Sequence, residues 1–244
     1  MVPDKIKREP KILWFLQVSY VAVILLSDWF AIRFIEIGTV DTNAGIIIFP
    51  LTFIISDLIT EVYGYKYARL AIWSGFLFNF IFILYGQAII HFPSPNYAIV
   101  DNNRFDQLIR FNDRIIISSM LAYLFSEPLN SYILAKMKIA MNGRLVYLRF
   151  ILSTTVASFF DSFIFGTLAF YGVMPNNDLI KFNITIWLIK VTIEIVGLPL
   201  SLFIVQKLKD YEGVDMYDID TKFSIFNFDA SYQPINNKYS SKSE

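Results

Sequence analysis

The chain has 244 residues, of which 55% are hydrophobic and 17% charged, with 24 Phe, one His and no Cys. That composition excludes a disulfide framework, a Cys/His zinc site and a catalytic cysteine, and 21 Lys and Arg against 21 Asp and Glu leave no global basic field for nucleic acid. A mean hydropathy of +0.50 exceeds what a soluble domain carries and points to a bilayer as the solvent.

Six stretches have the roughly 20 mostly apolar residues that cross a hydrocarbon core: Leu13–Ile32, Asn43–Thr60, Ala68–Ile90, Ile115–Ala135, Phe150–Tyr171 and Ile184–Gln206. The expected fold is therefore an all-α integral membrane protein, a six-transmembrane-helix bundle. The first span follows Lys5, Lys7, Arg8 and Lys11, as a signal peptide would. It runs on through Ser27, Asp28 and Trp29 with no small-x-small cleavage site, so an uncleaved helix is expected. Lys and Arg between spans total 12 on one side and 5 on the other. By the positive-inside rule both termini are cytoplasmic. In the longest loop, His91–Arg114, Phe105, Leu108 and Ile109 share one helical face, as in a short surface helix or a lid. The transmembrane domain spans 1–209. The polar tail 210–244 is expected on the cytoplasmic side, with Phe223, Phe226 and Phe228 packing its first half and a disordered end.

Charge inside a membrane is costly, so ionisable residues there face a bundle interior or a wet cavity. This chain places Asp28 in span one, Asp57 in span two with Glu61 at its end, Glu127 in span four, Asp161 in span five, and Lys190 and Glu194 in span six. Lys190 and Glu194 stand at i, i+4 and can pair. Asp57 and Glu61 stand at the same spacing with like charge, so they demand a proton or a cation. Arg69, across the next turn, is the expected partner in an inner clasp, and Asp28 is expected to pair with Arg33. Glu127, Asn130 and Ser131 form a polar strip in span four, matched by Thr154, Ser158 and Asp161 in span five. Pro50, Pro128 and Pro199 within spans two, four and six would free the carbonyls of Ile46, Leu124 and Ile195. A proline kink beside a buried acid is how carriers build midplane sites. Ser126-Glu127-x-x-Asn130-Ser131 and Ala157-Ser158-x-x-Asp161-Ser162 also share a format, on consecutive and hence oppositely directed spans.

The segment Phe49-Pro50-x-x-Phe53-x-x-x-Asp57-x-x-Thr60-Glu61-x-Tyr63-Gly64-x-x-x-Ala68-Arg69-x-x-Ile72-Trp73 resembles the signature of the queuosine-precursor transporter family, also filed under vitamin-uptake transporters. The likeness extends to both polar strips, to Lys190-x-x-x-Glu194-x-x-x-x-Pro199, and to the tail from Tyr211 to Asp218. The family often has Ser-Gln-x-x-Asp in both strips. Here acid and amide have exchanged places in span four.

The resemblance implies import of 7-deazaguanine bases (the nitrile precursor, the aminomethyl precursor or queuine) across the bacterial cytoplasmic membrane. A guanine-like edge offers adjacent N–H donors that a carboxylate can accept. The expected substrate-binding set is Glu127, Asn130, Asp161, Ser158, Lys190 and Glu194, with Phe53, Phe125 and Phe160 stacking on the flat base. Asp57, Glu61 and Arg69 would form a gate or inner clasp. No cofactor or metal is expected, and no phosphate-binding loop is present. The alternatives are a substrate-binding subunit driven by a separate ATPase module, and an integral-membrane enzyme using Glu127 and Asp161. A homodimer is possible under either transport reading.

Overall fold

The computed structural model describes residues 10–38, 40–93, 95 and 102–239. It contains α1 (Leu13–Phe30), a hairpin of β1 (Phe34–Ile37) and β2 (Val40–Asn43), a 3-10 turn (Ala44–Ile47), then α2 (Pro50–Tyr63) and α3 (Tyr65–Ile89). Three further helices follow: α4 (Asn102–Ala140), α5 (Val146–Phe170) and α6 (Asn176–Glu212). Five helices are long and apolar enough to cross a membrane: Leu13–Phe30, Ala44–Tyr63, Tyr65–Ile89, Val146–Phe170 and Asn176–Glu212. α4 falls outside that group. Its interior face carries Ser118, Ser119, Ser126, Glu127, Asn130 and Ser131, all buried, and these lower its hydropathy while it packs against α2, α3 and α5.

Polarity is inverted relative to a soluble protein. Trp14, Phe15, Leu77, Phe78, Leu121, Leu188, Val196, Leu200 and Phe203 are exposed, while Asp57, Glu61, Arg69, Glu127, Asn130 and Arg149 are completely buried. An apolar exterior around a polar interior is stable only when lipid surrounds it. This is a multi-pass membrane protein.

Several expectations need correction. The fold is helical but not strictly all-α, because β1 and β2 pair antiparallel with Phe34 opposite Asn43. Pro50 does not lie within a helix; it is the first residue of α2, where its missing N–H costs nothing. The carbonyl of Ile46 is therefore not freed by it. Phe105, Leu108 and Ile109 belong to no separate surface helix but to the first turns of α4, which has 39 residues. At 1.5 Å per residue that helix is about 58 Å long, well beyond the hydrocarbon core. Residues 94 and 96–101 of the same loop, Lys5, Lys7 and Arg8, and the tail's end at 240–244 lie outside the described residues. α4 and α6 run unbroken through Pro128 and Pro199.

Two glycines set the close approaches that shape the bundle. A Cβ at Gly45 would fall 2.4 Å from the backbone oxygen of Ser27, so only glycine lets the 3-10 turn press onto α1. Gly64, between α2 and α3, has φ +91°, and its Cβ would sit 2.3 Å from the Tyr232 hydroxyl. That contact belongs to the tail, which returns beneath the helices. Met216 N donates to Val62 O (3.0 Å), Tyr65 N to Asp218 (3.0 Å), and Trp73 Nε1 to Ile225 O (2.7 Å). Phe223 packs on Tyr65 and Tyr132, and Phe226 and Phe228 on Trp73. The bundle thus has a hairpin end and a tail end.

Candidate functional site

Towards the hairpin end the helices frame a small pocket of about 20 Å³, room for little more than one water molecule. It is lined from α1 by Ser27 and Asp28, from the 3-10 turn and its flanks by Asn43, Gly45, Ile46 and Phe49, and from α4 by Ser119. α5 contributes Asp161 and Phe165, and α6 contributes Lys190. Asp161 is held from two sides. Ser126 Oγ donates to its Oδ1 (2.9 Å) and the Lys190 ammonium to its Oδ2. The same ammonium lies 4.2 Å from the centroid of the Phe49 ring, a cation–π contact strengthened by exclusion of water. Opposite, Asp28 Oδ2 accepts from Asn79 Nδ2 (3.0 Å). Two carboxylates, one ammonium and two phenyl rings therefore converge on one space.

One level further towards the tail end, α2, α4 and α6 bring more polar groups together. Asn130 Nδ2 donates to Asp57 Oδ1 (2.6 Å), and Ser131 Oγ meets both Ser56 (3.3 Å) and Thr60 (3.1 Å). Glu127 lies beside the hydroxyls of Ser56 and Thr52, yet neither of its oxygens makes a well-formed hydrogen bond. Glu194 is buried in the same state. The two polar strips meet through the Ser126–Asp161 bond. Ser158 is buried too, but its hydroxyl turns back towards Thr155 O on its own helix.

At the tail end lies an ionic cluster. Glu61 Oε1 accepts from Arg149 (3.0 Å) and Lys209 (2.6 Å), with Lys138 at 3.8 Å. Asp215 Oδ1 lies 2.7 Å from Lys138 and 2.8 Å from Lys209. Burial alone would raise the Asp215 carboxyl, but Lys138 and Lys209 outweigh it and hold it below its ordinary value.

Three expected pairings are replaced. Lys190 binds Asp161 and not Glu194: on an antiparallel neighbour it finds a carboxylate facing it across the interface. Arg69 is not the partner of Asp57 or Glu61; its guanidinium donates to the tail carbonyls of Lys222, Ser224 (2.8 Å) and Asp229 (2.7 Å). Asp28 is bonded to Asn79, not Arg33, because it turns inward with 3% exposure while Arg33 is exposed. Phe125 and Phe160 do not stack in the interior either. They are 51% and 40% exposed and meet each other on the outer surface. Phe125 precedes Glu127 by two residues, and Phe160 precedes Asp161 by one, so neither shares its acid's helical face. Phe53 is fully buried in the core but does not line the pocket.

The aromatics that do line it are Phe49 and Phe165. Phe165 stands at i+4 from Asp161, a spacing the strip of span five already offered. Phe49 opens the span-two motif but was not assigned a role. Asn43 and Ser119 carried no signal beyond being polar residues in or near apolar spans.

The arrangement is that of a polytopic membrane protein with a charged pocket among its helices. The family model described as "Putative vitamin uptake transporter" matches residues 43–204, which is well over half of the chain and includes the pocket's contributors from Asn43 to Lys190. The chain belongs to that family of membrane transporters. Its likeness to the curated "Probable queuosine precursor transporter" of Bacillus subtilis (strain 168) amounts to 29% identity over 171 residues, 69% of this chain and 73% of the relative. No solved structure matches the chain. The resemblance drawn from span two is thus confirmed at the level of the family.

Proposed function

We propose that this protein is a carrier that imports a queuosine precursor, a 7-deazaguanine base, across the bacterial cytoplasmic membrane without an ATPase of its own. The observation that carries this reading is the convergence of Asp28, Asp161, Lys190, Phe49 and Phe165 on one pocket, which must widen to take a flat base. A carboxylate supplies paired acceptors for the adjacent N–H groups of a guanine-like edge. The Lys190 ammonium supplies a donor for the ring carbonyl, and the two phenyl rings supply apolar faces for a flat base. The substrate named for the Bacillus subtilis relative has this chemistry.

In this reading Asp161 keeps its expected place as a carboxylate that meets the base, and Asp28 takes the place of Glu127 beside it. Lys190 stays in the binding set, and Asn130, Glu127 and Glu194 lie behind it. The pocket lies near the hairpin end, which the positive-inside rule places outside. The tail end is sealed by the Glu61 and Asp215 cluster. In this reading substrate enters the pocket from the hairpin side.

The test uses cells unable to make the precursor, supplied with it at limiting concentration, and measures queuosine in their tRNA. Expression of this chain should restore the modification, and Asp161→Asn should not. Unchanged queuosine with and without the chain would overturn the reading. Uptake by the purified chain alone in ATP-free liposomes supports a self-sufficient carrier; a requirement for added ATPase subunits would refute that part.

A further inference from the structure

Along α2, Phe49 belongs to the pocket and Glu61 to the tail-end cluster. Between them, eight residues beyond Phe49, stands Asp57, which is completely buried. The acids that act on it include Glu194 of α6 and Glu127 of α4, both on helices packed against α2. The cations of the interior are committed elsewhere. Lys190 is bound to Asp161, while Lys138, Arg149 and Lys209 surround Glu61 and Asp215. On α3, Arg69 is held by the tail carbonyls. On α1, Asp28 is bonded to Asn79. Asp57 and Glu194 therefore stand buried on packed helices, and among the described residues neither forms an ion pair with a basic group.

Hydrogen-bond accounting sharpens the imbalance. Asn130 gives its amide to Asp57 Oδ1, and its own Oδ1, fully buried, has no donor. Asp57 Oδ2 and both oxygens of Glu194 are in the same condition. This is an excess of acceptors and a deficit of donors, and buried acceptors are not left empty without cost. Two like charges in a low-dielectric interior cannot both be kept. A ligand that brings positive charge and a donor resolves both problems. Among the described residues no three Asp or Glu lie close enough to hold a metal ion, whereas a proton needs one carboxyl oxygen and a neighbouring acceptor.

We propose that Asp57 and Glu194, with Asn130 as their hydrogen-bonding companion, form a proton-binding site whose loading and release accompany transport. The site exists independently of the substrate; only its coupling rests on the carrier reading above. A proton entering from the hairpin side neutralises the pair and lets α2 and α6 pack together. Its release on the tail side restores the negative charge and favours their separation.

Two measurements on the full-length chain test this. The first is infrared spectroscopy of the purified protein in lipid, read at the carbonyl stretch of protonated carboxyl groups. A band that persists at neutral pH and shrinks in both Asp57→Asn and Glu194→Gln is expected, with helix content checked by circular dichroism. No such band, an equal band in both folded variants, or its loss on adding sodium ions at constant pH would overturn the site. The second is accumulation of labelled precursor in liposomes under a pH gradient, alkaline inside. One pH unit should sustain up to about tenfold accumulation per coupled proton, and Glu194→Gln should abolish the dependence on the gradient. Accumulation that stays at unity in the wild type would overturn the coupling. If the carboxyl band behaves as expected but no precursor is taken up, the carrier reading fails and the proton site stands.

Discussion

Removing one member of the Asp161–Lys190 pair separates its two roles. Lys190→Met leaves a buried carboxylate bonded only by Ser126, and breaking such a pair costs about 3–5 kcal/mol. The melting temperature in detergent should fall by several degrees. The double variant Asp161→Asn, Lys190→Met removes both charges together, so most of that stability should return while uptake should not. Recovery of uptake in the double variant would show that the pair is only a strut. Asp215 supports a second prediction, on pH. Its carboxyl is held below the ordinary value of 3.8 by Lys138 and Lys209 in spite of burial. A depressed acid adds stability above its unfolded-state value and loses it as pH falls through the folded-state value. Thermal stability should therefore decline below about pH 4, and Asp215→Asn, less stable at neutral pH, should show a shallower acid limb. A parallel acid limb in the variant would refute this.

At the scale of elements, what the sequence discloses depends on which signal a position carries. Length and apolarity are cumulative, so α1, α3 and α5 begin and end within a few residues of where hydropathy places them. The inward acids were legible because charge at membrane depth has to be buried. Their partners were not, because pairing depends on which faces of neighbouring helices meet. Lys190 therefore has a local partner in the sequence, Glu194, and a different one in space, Asp161. Pro50 shows the same limit: a proline breaks a helix or starts one, and apolarity alone does not distinguish them. The β1–β2 hairpin is too short for a periodic signal. Gly45 turns this local geometry into a prediction. Gly45→Leu must push the 3-10 turn away from α1, because the first added carbon already meets the Ser27 oxygen. Precursor uptake should drop at least about tenfold, equivalent to 1.4 kcal/mol of binding free energy. Normal uptake would show that the turn does not set the pocket's shape.

At the scale of the whole molecule, orientation is the outstanding physical question, and the composition makes it accessible. The chain has no cysteine, so each introduced one is a unique label. Arg144→Cys, in the exposed α4–α5 turn, should react with a membrane-impermeant maleimide only after the membrane is opened. Val173→Cys, at the exposed α5–α6 connection, should react in intact cells. The reverse pattern would invert the topology and with it the side from which the pocket loads.

The tail's grip on the bundle has a consequence for biogenesis. Residues 212–232 touch the starts or ends of α1, α2, α3, α4 and α6: Glu212 accepts from the backbone of Lys11 and Ile12, Asp215 neutralises Lys138 and Lys209, and Met216, Asp218 and Ser224 hold α2 and α3. They follow the other helices in the chain and are synthesised after them. Until they emerge, Lys138, Arg149 and Lys209 are inserted with Glu61 as their one acidic partner, and Arg69 has no tail carbonyls to bind. The helices can therefore enter the bilayer one after another during translation, but their tail-side contacts form only once this segment has left the ribosome. A chain cut short before Asp215 would leave Lys138 and Lys209 without that carboxylate and Arg69 without the Ser224 carbonyl, cations that the finished protein holds paired.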